Sequence, residues 1–485
     1  MSSPNAGPVR SLDTSLLIFG MIVAAAILTW LVPPGAFDKE IIEVAGAGTR
    51  EVVVPGSYTP SETASPQGIG AVLRAPLRGI VAAADIVAFV LIVGGAFAVL
   101  QATGAVDAGL HRLVRASKTS ALVERLIVPF FMVLFSLGGA IFGMAEEVIP
   151  FVLVFVPLAL RLGYDAVVGV AIPMVGSGAG FAAAFLNPFT IGVAQGIAEV
   201  PLFTGIGVRM GLWFFTTGVA IAFVMAYARR IRRDPSRSVV ADIAAAATAA
   251  EPAAAPDGAP SDGSPVGAEG GLTRRHNLVL ATFGLGLVAL VVGVTQFGWY
   301  IEEIAGLFLG VGIVMGAIGL SHAGAVATAF MDGARALVST AVIIGLARGI
   351  LVILEDGGIV DTLLFAMAGV LDGWGAIGSA QGMFGVQTAL NFFVPSGSGQ
   401  AALTMPLMAP LADLTGLSRQ VAVLAYQMGD GFTNLIVPTN AVLMGAITLG
   451  GVPWARWARW ILPLQVVFFA MGLAALAVVV GFGLY

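Results

Sequence analysis

Apolar runs of about 20 residues recur along this sequence and constrain its fold more than any other feature. Each run is long enough to cross the ~30 Å hydrocarbon core of a bilayer as an α-helix. The clearest examples lie at residues 16–32, 86–100, 213–228, 278–296, 304–320, 338–354 and 462–484. Only 11% of the residues are charged, whereas a soluble domain uses about 25% to cover its surface. The sequence therefore predicts an all-α, polytopic membrane protein.

Cysteine and histidine usage excludes several kinds of site. The chain has no cysteine, which excludes disulfides, thiolate catalysis and cysteine metal ligands. Its three histidines, His111, His276 and His322, all lie near the ends of apolar runs, so we expect no histidine metal site inside the membrane. We expect neither a cofactor nor a nucleic-acid partner, and we assign no catalytic or metal-binding residue.

The two apolar halves of the chain repeat each other. When the first half is shifted by 253 positions, Pro157 falls on Pro410 and Asn187 falls on Asn440. Glycines at 163, 176, 178 and 192 match glycines at the same shift, and at a shift of 254 Gly104 and Asp107 match Gly358 and Asp361, so the collinear matches extend over about a hundred residues. Such a series predicts two structural repeats, which in secondary transporters enclose the substrate site near the middle of the membrane.

Charged residues orient the repeats. A basic run at 229–233 opens a stretch rich in Ala, Pro, Gly and Asp, which predicts a disordered linker in the cytoplasm. The loop after the first span has mixed charge without a basic excess, so we place it outside. The run 86–100 then enters the cytoplasm, where basic residues follow it, and its counterpart 338–354 leaves the cytoplasm. The repeats are therefore predicted to be inverted.

This reading divides the chain into five parts. They are residues 1–33 (N-terminal tail and first transmembrane helix), 34–79 (external loop), 80–228 (first inverted repeat), 229–276 (disordered cytoplasmic linker) and 277–485 (second half with the second inverted repeat). We expect a multi-pass protein of the bacterial inner membrane, with the lipid bilayer as its surroundings.

Four segments interrupt apolar runs in ways that exclude simple spans. Residues 121–161 contain two adjacent glutamates, and the 13 or so residues that follow them are too few to cross. The matching stretch 381–412 is interrupted by PSGSGQ at 395–400. Each predicts a re-entrant helical hairpin, since non-helical backbone at membrane depth is tolerated only inside protein or beside water. The next span in each repeat is predicted to be discontinuous, at GSGAG (176–180) and at GDGFTN (429–434).

Five longer motifs resemble a known family. They are FSLGGAIFGMAEE (135–147), FLNPF (185–189), VAQGIAEVP (193–201), NFFVPSGSGQAALTMPLMAPLADL (391–414) and RQVAVLAYQMGDGFTN (419–434). They look like the YfcC-type carriers, relatives of the DcuC anaerobic C4-dicarboxylate carriers and ArcD-type basic amino-acid antiporters in the ion transporter superfamily. The resemblance implies a homodimer whose protomers each have a scaffold domain and a moving transport domain. Dicarboxylate members have Ser-Asn-Thr hairpin tips beside sodium sites, which Ser396-Gly397-Ser398 approximates.

The polar residues at the four interruptions are the candidate site. The candidates for substrate binding are Glu146, Glu147, Asn187, Ser396, Ser398, Gln400, Asn434 and Asn440. The candidates for binding a coupling ion, Na⁺ or H⁺, are Ser177, Gly178, Asp430 and Thr433. An ionisable group at membrane depth costs about 2–3 kcal/mol or more and usually serves a function. A single neutral polar residue more often stabilises helix packing than binds a ligand, and the grouping of these residues around four interruptions makes the two roles about equally expected.

Three further residues or groups have competing interpretations. Arg348 lies in the middle of a span, and because the family resemblance implies that this span belongs to the scaffold, we favour a structural ion pair with a buried acid over contact with a substrate carboxylate. Trp454, Trp457 and Trp460 alternate with arginines and predict a helix at the membrane interface. Gly429-Asp430 partly matches an aspartyl intramembrane protease, but Gln427 occupies the place of the first glycine in that motif.

These observations predict a secondary active transporter, elevator-type and either cation-coupled or exchanging, for a small carboxylate-bearing metabolite. Two glutamates at the first tip favour an amino acid, and a basic one, because ionised carboxylates repel a dicarboxylate. A C4-dicarboxylate carrier is the alternative. A passive channel and an intramembrane enzyme are remoter ones.

The inverted topology predicts which loops an impermeant reagent reaches. Since the native chain has no cysteine, Ala255→Cys in the linker and Ala64→Cys in the first loop each introduce one label site. In intact cells a membrane-impermeant maleimide should label Ala64→Cys and leave Ala255→Cys unlabelled until the cells are permeabilised. Labelling at 255 from outside would contradict the predicted topology.

Overall fold

The computed structural model describes residues 14–44, 48–54, 56–61, 65–109, 112, 115, 120–202, 204–243, 272–369 and 374–485. These residues form an almost entirely helical fold. Within them, seven helices are long and apolar enough to cross a membrane. The prediction of an all-α, multi-pass membrane protein is confirmed.

The N-terminal part consists of one helix and a loop with short strands. Helix α1 (Thr14–Leu31) is followed by β1 (Gly35–Ala36), β2 (Lys39–Val44), β3 (Gly48–Val53) and β4 (Thr59–Pro60). Strand β1 pairs antiparallel with β4, and β2 pairs antiparallel with β3. The β2–β3 hairpin lies against a helix of the second repeat, α15 below.

The helices that follow occur in two sets of matching order. The first set is α2 (Ile69–Ala82), α3 (Ala84–Ala102), α4 (Ala121–Phe142), α5 (Val148–Arg161), α6 (Ala166–Ala182), a π-helical turn (Pro188–Gly192), α7 (Val193–Ile197) and α8 (Ile206–Arg233). Two helices then intervene, α9 (Arg274–Phe297) and α10 (Ile301–Gly319). The second set is α11 (Ala323–Ala336), α12 (Val338–Asp356), α13 (Val360–Gly369), α14 (Gly375–Phe393), α15 (Gly397–Leu414), α16 (Arg419–Thr433), α17 (Ala441–Leu449) and α18 (Trp454–Gly481).

Corresponding helices match in packing, and three pairs of them also match in length. α2 and α11 have 14 residues each, α3 and α12 have 19 each, and α8 and α18 have 28 each. α2 packs against α12 while α11 packs against α3, and α5 packs against α17 while α15 packs against α7. α6 packs against its own counterpart α16. A twofold axis between two repeats produces such reciprocal contacts, in which each helix packs against the other repeat in the same way as its counterpart does. Transporters with inverted repeats have this relation.

The helices also fall into two packing groups. The hairpins α4–α5 and α14–α15 pack with α6, α7, α8, α16 and α18. The other group contains α1, α2, α3, α9, α10, α11 and α12. The groups meet mainly where α12 contacts α17 and where α3 contacts α5.

The discontinuities after the hairpins lie further along the chain than the glycine-rich motifs predict. Residues 176–180 are inside α6, and the chain leaves the helix only at 183. Residues 429–433 are inside α16, which ends at Thr433. These glycines serve close helix packing, because a Cβ at Gly180 would overlap the carbonyl of Ser136 and a Cβ at Gly431 would overlap the backbone of Ala182.

The start of the predicted linker is folded. Helix α8 continues through the arginine run to Arg233, and a 3₁₀ turn follows at Pro235–Arg237. The Asp165 carboxylate, at the start of α6, accepts hydrogen bonds from Tyr227 (2.5 Å) and Ser238 (2.7 Å). The prediction of disorder therefore fails for residues 229–243, and residues 244–271 lie outside the described part of the chain, as do residues 1–13.

Candidate functional site

A cavity of about 240 Å³ lies where the chain breaks meet. Its walls come from both hairpin tips, from the segments after α6 and α16, from the junction of α2 and α3, and from the middle of α12. The site thus draws on both repeats and on both packing groups, as expected for a transporter with inverted repeats.

The tip of the first hairpin spans Gly143 to Glu147. Gly143 has a φ of +76°, and a Cβ there would lie 2.6 Å from the side-chain oxygen of Asn187. The Ser177 hydroxyl donates to the carbonyl of Met144, which ties the tip to α6. The Glu147 carboxylate accepts from the backbone N–H of Ala145 (2.9 Å). Glu147 therefore folds back onto its own tip, whereas Glu146 lines the cavity.

The second hairpin presents a helix N-terminus to the cavity. Helix α14 ends at Phe393 and α15 begins at Gly397, and Ser396, Gly397 and Ser398 all line the cavity. Tyr426 of α16 donates to the Gly397 carbonyl (2.6 Å) and anchors the tip. Since the first N–H groups of a helix lack intrahelical acceptors, this end of α15 is suited to an anionic group.

Two corresponding asparagines cap the helical segments that restart after the chain breaks following α6 and α16. Asn187 accepts from the N–H of Phe189 (2.9 Å) and caps the π-helical turn, and its counterpart Asn440 accepts from the N–H of Leu443 (2.9 Å) and caps α17. Asn440 also donates to Asn434 (2.7 Å). Asn187 and Asn440 thus cap the corresponding restarting segment in the first and second repeat, respectively.

Asn391 of α14 holds the end of α16. Its Nδ2 lies 2.9 Å from the Asp430 carbonyl, 3.1 Å from the Thr433 hydroxyl and 2.9 Å from Asn434 Oδ1. The Thr433 hydroxyl also donates to the Gly429 carbonyl. In the sequence, Asn391 is only the first residue of the motif at 391–414, and the structure gives it this specific set of contacts.

The tryptophans at the start of α18 contact the chain break that follows α16. Trp457 is fully buried and donates to the Leu435 carbonyl (2.8 Å). Trp454 donates to the Ile436 carbonyl (2.9 Å). These indole N–H groups satisfy carbonyls that the break after α16 leaves without helical partners, and the interfacial placement of the helix stays a prediction.

Asp430 is buried beneath the second hairpin tip. One carboxylate oxygen accepts from Asn434 Nδ2 (3.0 Å). The other has no hydrogen-bond partner among the described residues, and it lies 3.3 Å from where a Cβ of Gly397 would be. By the 253-residue shift its counterpart is Ser177, whose hydroxyl reaches the first tip.

The cavity carries charge of both signs. Arg348 from α12 lines it together with Glu146 and with Asp85, in the first turn of α3. The predicted ion pair is absent, since no carboxylate of the described residues lies within salt-bridge distance of Arg348. Sequence reasoning missed Asp85, although an acid that opens an apolar span is a visible signal. It also missed Tyr300, whose ring lies 5.2 Å from that of Phe189 beside the cavity.

The structure brings most of the candidate residues together without placing all of them at the cavity surface. Those that line the main cavity are Glu146, Ser396, Ser398, Asn434 and Asn440. Those that do not are Glu147, Asn187, Asp430, Thr433 and Gln400, the last of which bonds Gln387 within the hairpin (2.7 Å). Ser177 and Gly178 line a neighbouring cavity of about 50 Å³ that shares Asn434 and Asn440 with the main one.

Comparison with known proteins places the chain in a family. The model of the DcuC family, described as C4-dicarboxylate anaerobic carrier, matches residues 13–481. The chain belongs to the DcuC family. It is 35% identical over 480 residues to a protein of Escherichia coli (strain K12) named "Putative basic amino acid antiporter YfcC", with 92% of each chain covered. It is 31% identical over 487 residues to an uncharacterised protein of Haemophilus influenzae (strain ATCC 51907 / DSM 11121 / KW20 / Rd), again with 92% of each covered.

Two solved structures align along nearly the whole length of this DcuC-family chain. The YdaH transporter of Alcanivorax borkumensis has a TM-score of 0.41 at 16% identity, covering 97% of this chain and 99% of that one. The efflux pump MtrF of Neisseria gonorrhoeae has a TM-score of 0.39 at 16% identity, covering 98% and 96%. Family membership makes the chain a membrane carrier for a small molecule, and not an enzyme.

The contact between the first tip and Asn187 is testable with a matched pair of glycines. Gly143 and Gly163 have similar positive φ values, +76° and +79°, but only Gly143 has a neighbour where the Cβ would be. Both Gly→Ala variants should lose roughly 1 kcal/mol of stability through backbone strain. Only Gly143→Ala should also lose transport, by more than about tenfold, since it displaces the tip. Equal transport in the two variants, measured in proteoliposomes, would contradict this role for the tip.

Proposed function

We propose that this carrier transports a basic amino acid across the bacterial inner membrane. The observation that carries the proposal is the charge pattern of the cavity, in which one arginine and two carboxylates face the same small volume. A basic amino acid has one carboxylate and two cationic groups, so its charges complement that pattern. The name of the E. coli relative, which refers to basic amino acid antiport, agrees with it.

The substrate carboxylate would bind between Arg348 and the N-terminus of α15. Arg348 has no acidic partner in the described structure, so its guanidinium is available for a bidentate contact. Ser396 and Ser398 supply hydroxyl groups beside the exposed N–H groups of Gly397 and Ser398. Arg348 and the α15 tip belong to different packing groups, so a carboxylate held by both would bridge them.

The cationic groups of the substrate would face Glu146 and Asp85. Glu146 is half-buried at the first tip, and Asp85 is exposed at the start of α3. The rings of Tyr300 and Phe189 lie beside them and offer π-faces to an ammonium or guanidinium group. A dicarboxylate, the substrate class in the family description, would need two cationic partners, whereas Arg348 is the one cationic residue that lines this cavity in the described structure.

Asp430 is our proposal for the coupling site. Its unpartnered oxygen lies against the second tip, so binding of H⁺ or Na⁺ there would stabilise one position of the hairpin. Movement of the hairpin group against α12 would then expose the substrate to either side, in an elevator-type cycle. We propose that the protein works in this way as a homodimer, as the family resemblance implies.

Charge removal at the cavity tests the proposed substrate. Glu146→Gln should weaken binding of arginine or lysine at least roughly tenfold, because it removes one partner of a partly desolvated charge pair. Glu147→Gln is the matched control, since Glu147 contacts its own tip backbone and not the cavity. The measurement is the ligand-induced rise in melting temperature of the purified protein, which reports affinity by mass action.

Two results would refute the basic amino acid. One is stabilisation by a C4-dicarboxylate and not by arginine or lysine. The other is equal binding of the basic ligand by Glu146→Gln and the native chain. Arg348→Gln completes the test, since it should abolish binding of any ligand that has a carboxylate.

Replacement of the buried carboxylate tests the proposed coupling. Asp430→Asn keeps the size of the side chain but cannot gain or lose a proton and binds cations weakly. We expect it to abolish uptake driven by an ion gradient in proteoliposomes while substrate-for-substrate exchange survives. Imposing a proton gradient or a sodium gradient in turn identifies the ion. Native gradient-driven uptake by Asp430→Asn would leave Asp430 a structural group.

A further inference from the structure

Helix α8 has an exposed face that the transport site does not use. Along it lie Gly207, Gly211, Phe214, Gly218, Ala222 and Ala226, all exposed and spaced three or four residues apart. A Cβ added at any of the three glycines would meet no atom within 4 Å. The opposite face, including Thr216, Ala220, Val224 and Ala228, is buried against the protein. Apart from Phe214, the exposed face is therefore a shallow track of small residues, here called the α8 track.

Four arginines stand at the cytoplasmic end of the α8 track. Arg229, Arg230, Arg233 and Arg237 continue its spacing and line a cavity of about 540 Å³ with Ala226 and Asp234. Asp234 pairs with Arg237 (3.0 Å), and a hydrogen bond from the Ser236 hydroxyl lowers the pKa of its carboxyl. The cavity has a formal net charge of +3, from four guanidinium groups and one carboxylate. Arg229, Arg230 and Arg233 form no ion pair with a described residue.

The other repeat shows that this arrangement is not a requirement of the fold. Helix α18 is the counterpart of α8 and has the same length of 28 residues, yet its last turn contains no basic residue. Basic residues at one end of a span also mark its cytoplasmic side. The cytoplasmic position of the arginines, however, does not by itself require that they share one face, line one cavity and continue a track of small residues.

We propose that the α8 track and its arginine cluster bind an anionic phospholipid of the cytoplasmic leaflet. The headgroup phosphate would lie among Arg229, Arg230 and Arg233, which provide donors suited to phosphate oxygens. An acyl chain would lie along Ala226, Ala222 and Gly218, where the absence of side chains leaves room for it. Because α8 packs on α6 and α4, the lipid would contact the hairpin group directly.

The charges argue against a second copy of the chain on this face. Two copies in one membrane are related by an axis along the membrane normal, so they would bring the same ends of α8 together. Their arginine clusters would then face each other and repel. The phosphate of an anionic lipid neutralises the cluster instead.

Two variants and a control test the lipid site in the full-length protein. Arg229→Gln/Arg230→Gln/Arg233→Gln removes the headgroup contacts, and Ala222→Phe fills the track. Arg274→Gln/Arg275→Gln, at the exposed start of α9, removes cytoplasmic charge elsewhere. Native mass spectrometry and thermal shift are recorded with phosphatidylglycerol, with phosphatidylcholine and with soluble glycerophosphoglycerol.

We expect phosphatidylglycerol to bind and stabilise the native protein more than the other two probes. The triple variant should bind it on the order of 10- to 100-fold more weakly, and Ala222→Phe should also weaken it, while the α9 variant should bind normally. The proposal is overturned if all variants bind equally, if the α9 variant loses as much as the triple variant, or if soluble phosphate binds as well as the lipid and Ala222→Phe changes nothing. It is also overturned if Ala222→Phe changes the oligomeric state and leaves lipid binding intact. Equal melting temperatures of the variants in phosphatidylcholine show that each has folded.

Discussion

Backbone N–H and C=O groups inside a membrane have no water to bond with, and this constraint shapes the whole transport site. Each chain break at membrane depth must be completed by a side chain. Asn187 and Asn440 cap the helices that restart, and Trp457 reaches the carbonyl of Leu435. Tyr426 holds the second hairpin tip by the carbonyl of Gly397. The polar residues at the breaks are therefore first of all the means by which a broken helix survives in hydrocarbon.

Because neutral amides, hydroxyls and indoles complete the backbone, the charged groups remain available for a ligand. Arg348 comes from α12 and Glu146 from the first hairpin, so the charges that face the cavity belong to different packing groups. A ligand with charge of both signs connects those groups when it binds. In the proposed elevator-type cycle, movement occurs at this same boundary, so the proposed ligand would bridge the two parts that move.

Much of the architecture could be predicted because it follows from short-range rules. Run length predicts the spans, the 253-residue shift predicts the repeats, and glutamates or a Pro-Ser-Gly run predict the hairpin tips. The same reasoning misplaced the breaks after the hairpins. A glycine in an apolar run can interrupt a helix, or it can let two helices pack closely. Only the neighbours of Gly180 and Gly431 show that these two glycines serve close packing. The tryptophans are ambiguous in a similar way, since an indole N–H can lie at a membrane interface or donate to a buried carbonyl, and only the structure shows the contacts with Leu435 and Ile436.

By itself, the sequence determined that this chain crosses the membrane many times, that its halves repeat and that four interruptions place polar residues within apolar runs. Those properties depend on the composition and spacing of residues along the chain, and they can be inferred without knowing which residues contact each other in the fold. Only the tertiary structure decided that Glu146 faces the cavity while Glu147 contacts its own tip, and that Arg348 and Asp85 face the same volume as Glu146. Adjacent residues have side chains that point in different directions, and groups more than 200 residues apart meet only through packing. The chemistry of the site depends on those directions and meetings, so it had to be read from the folded chain.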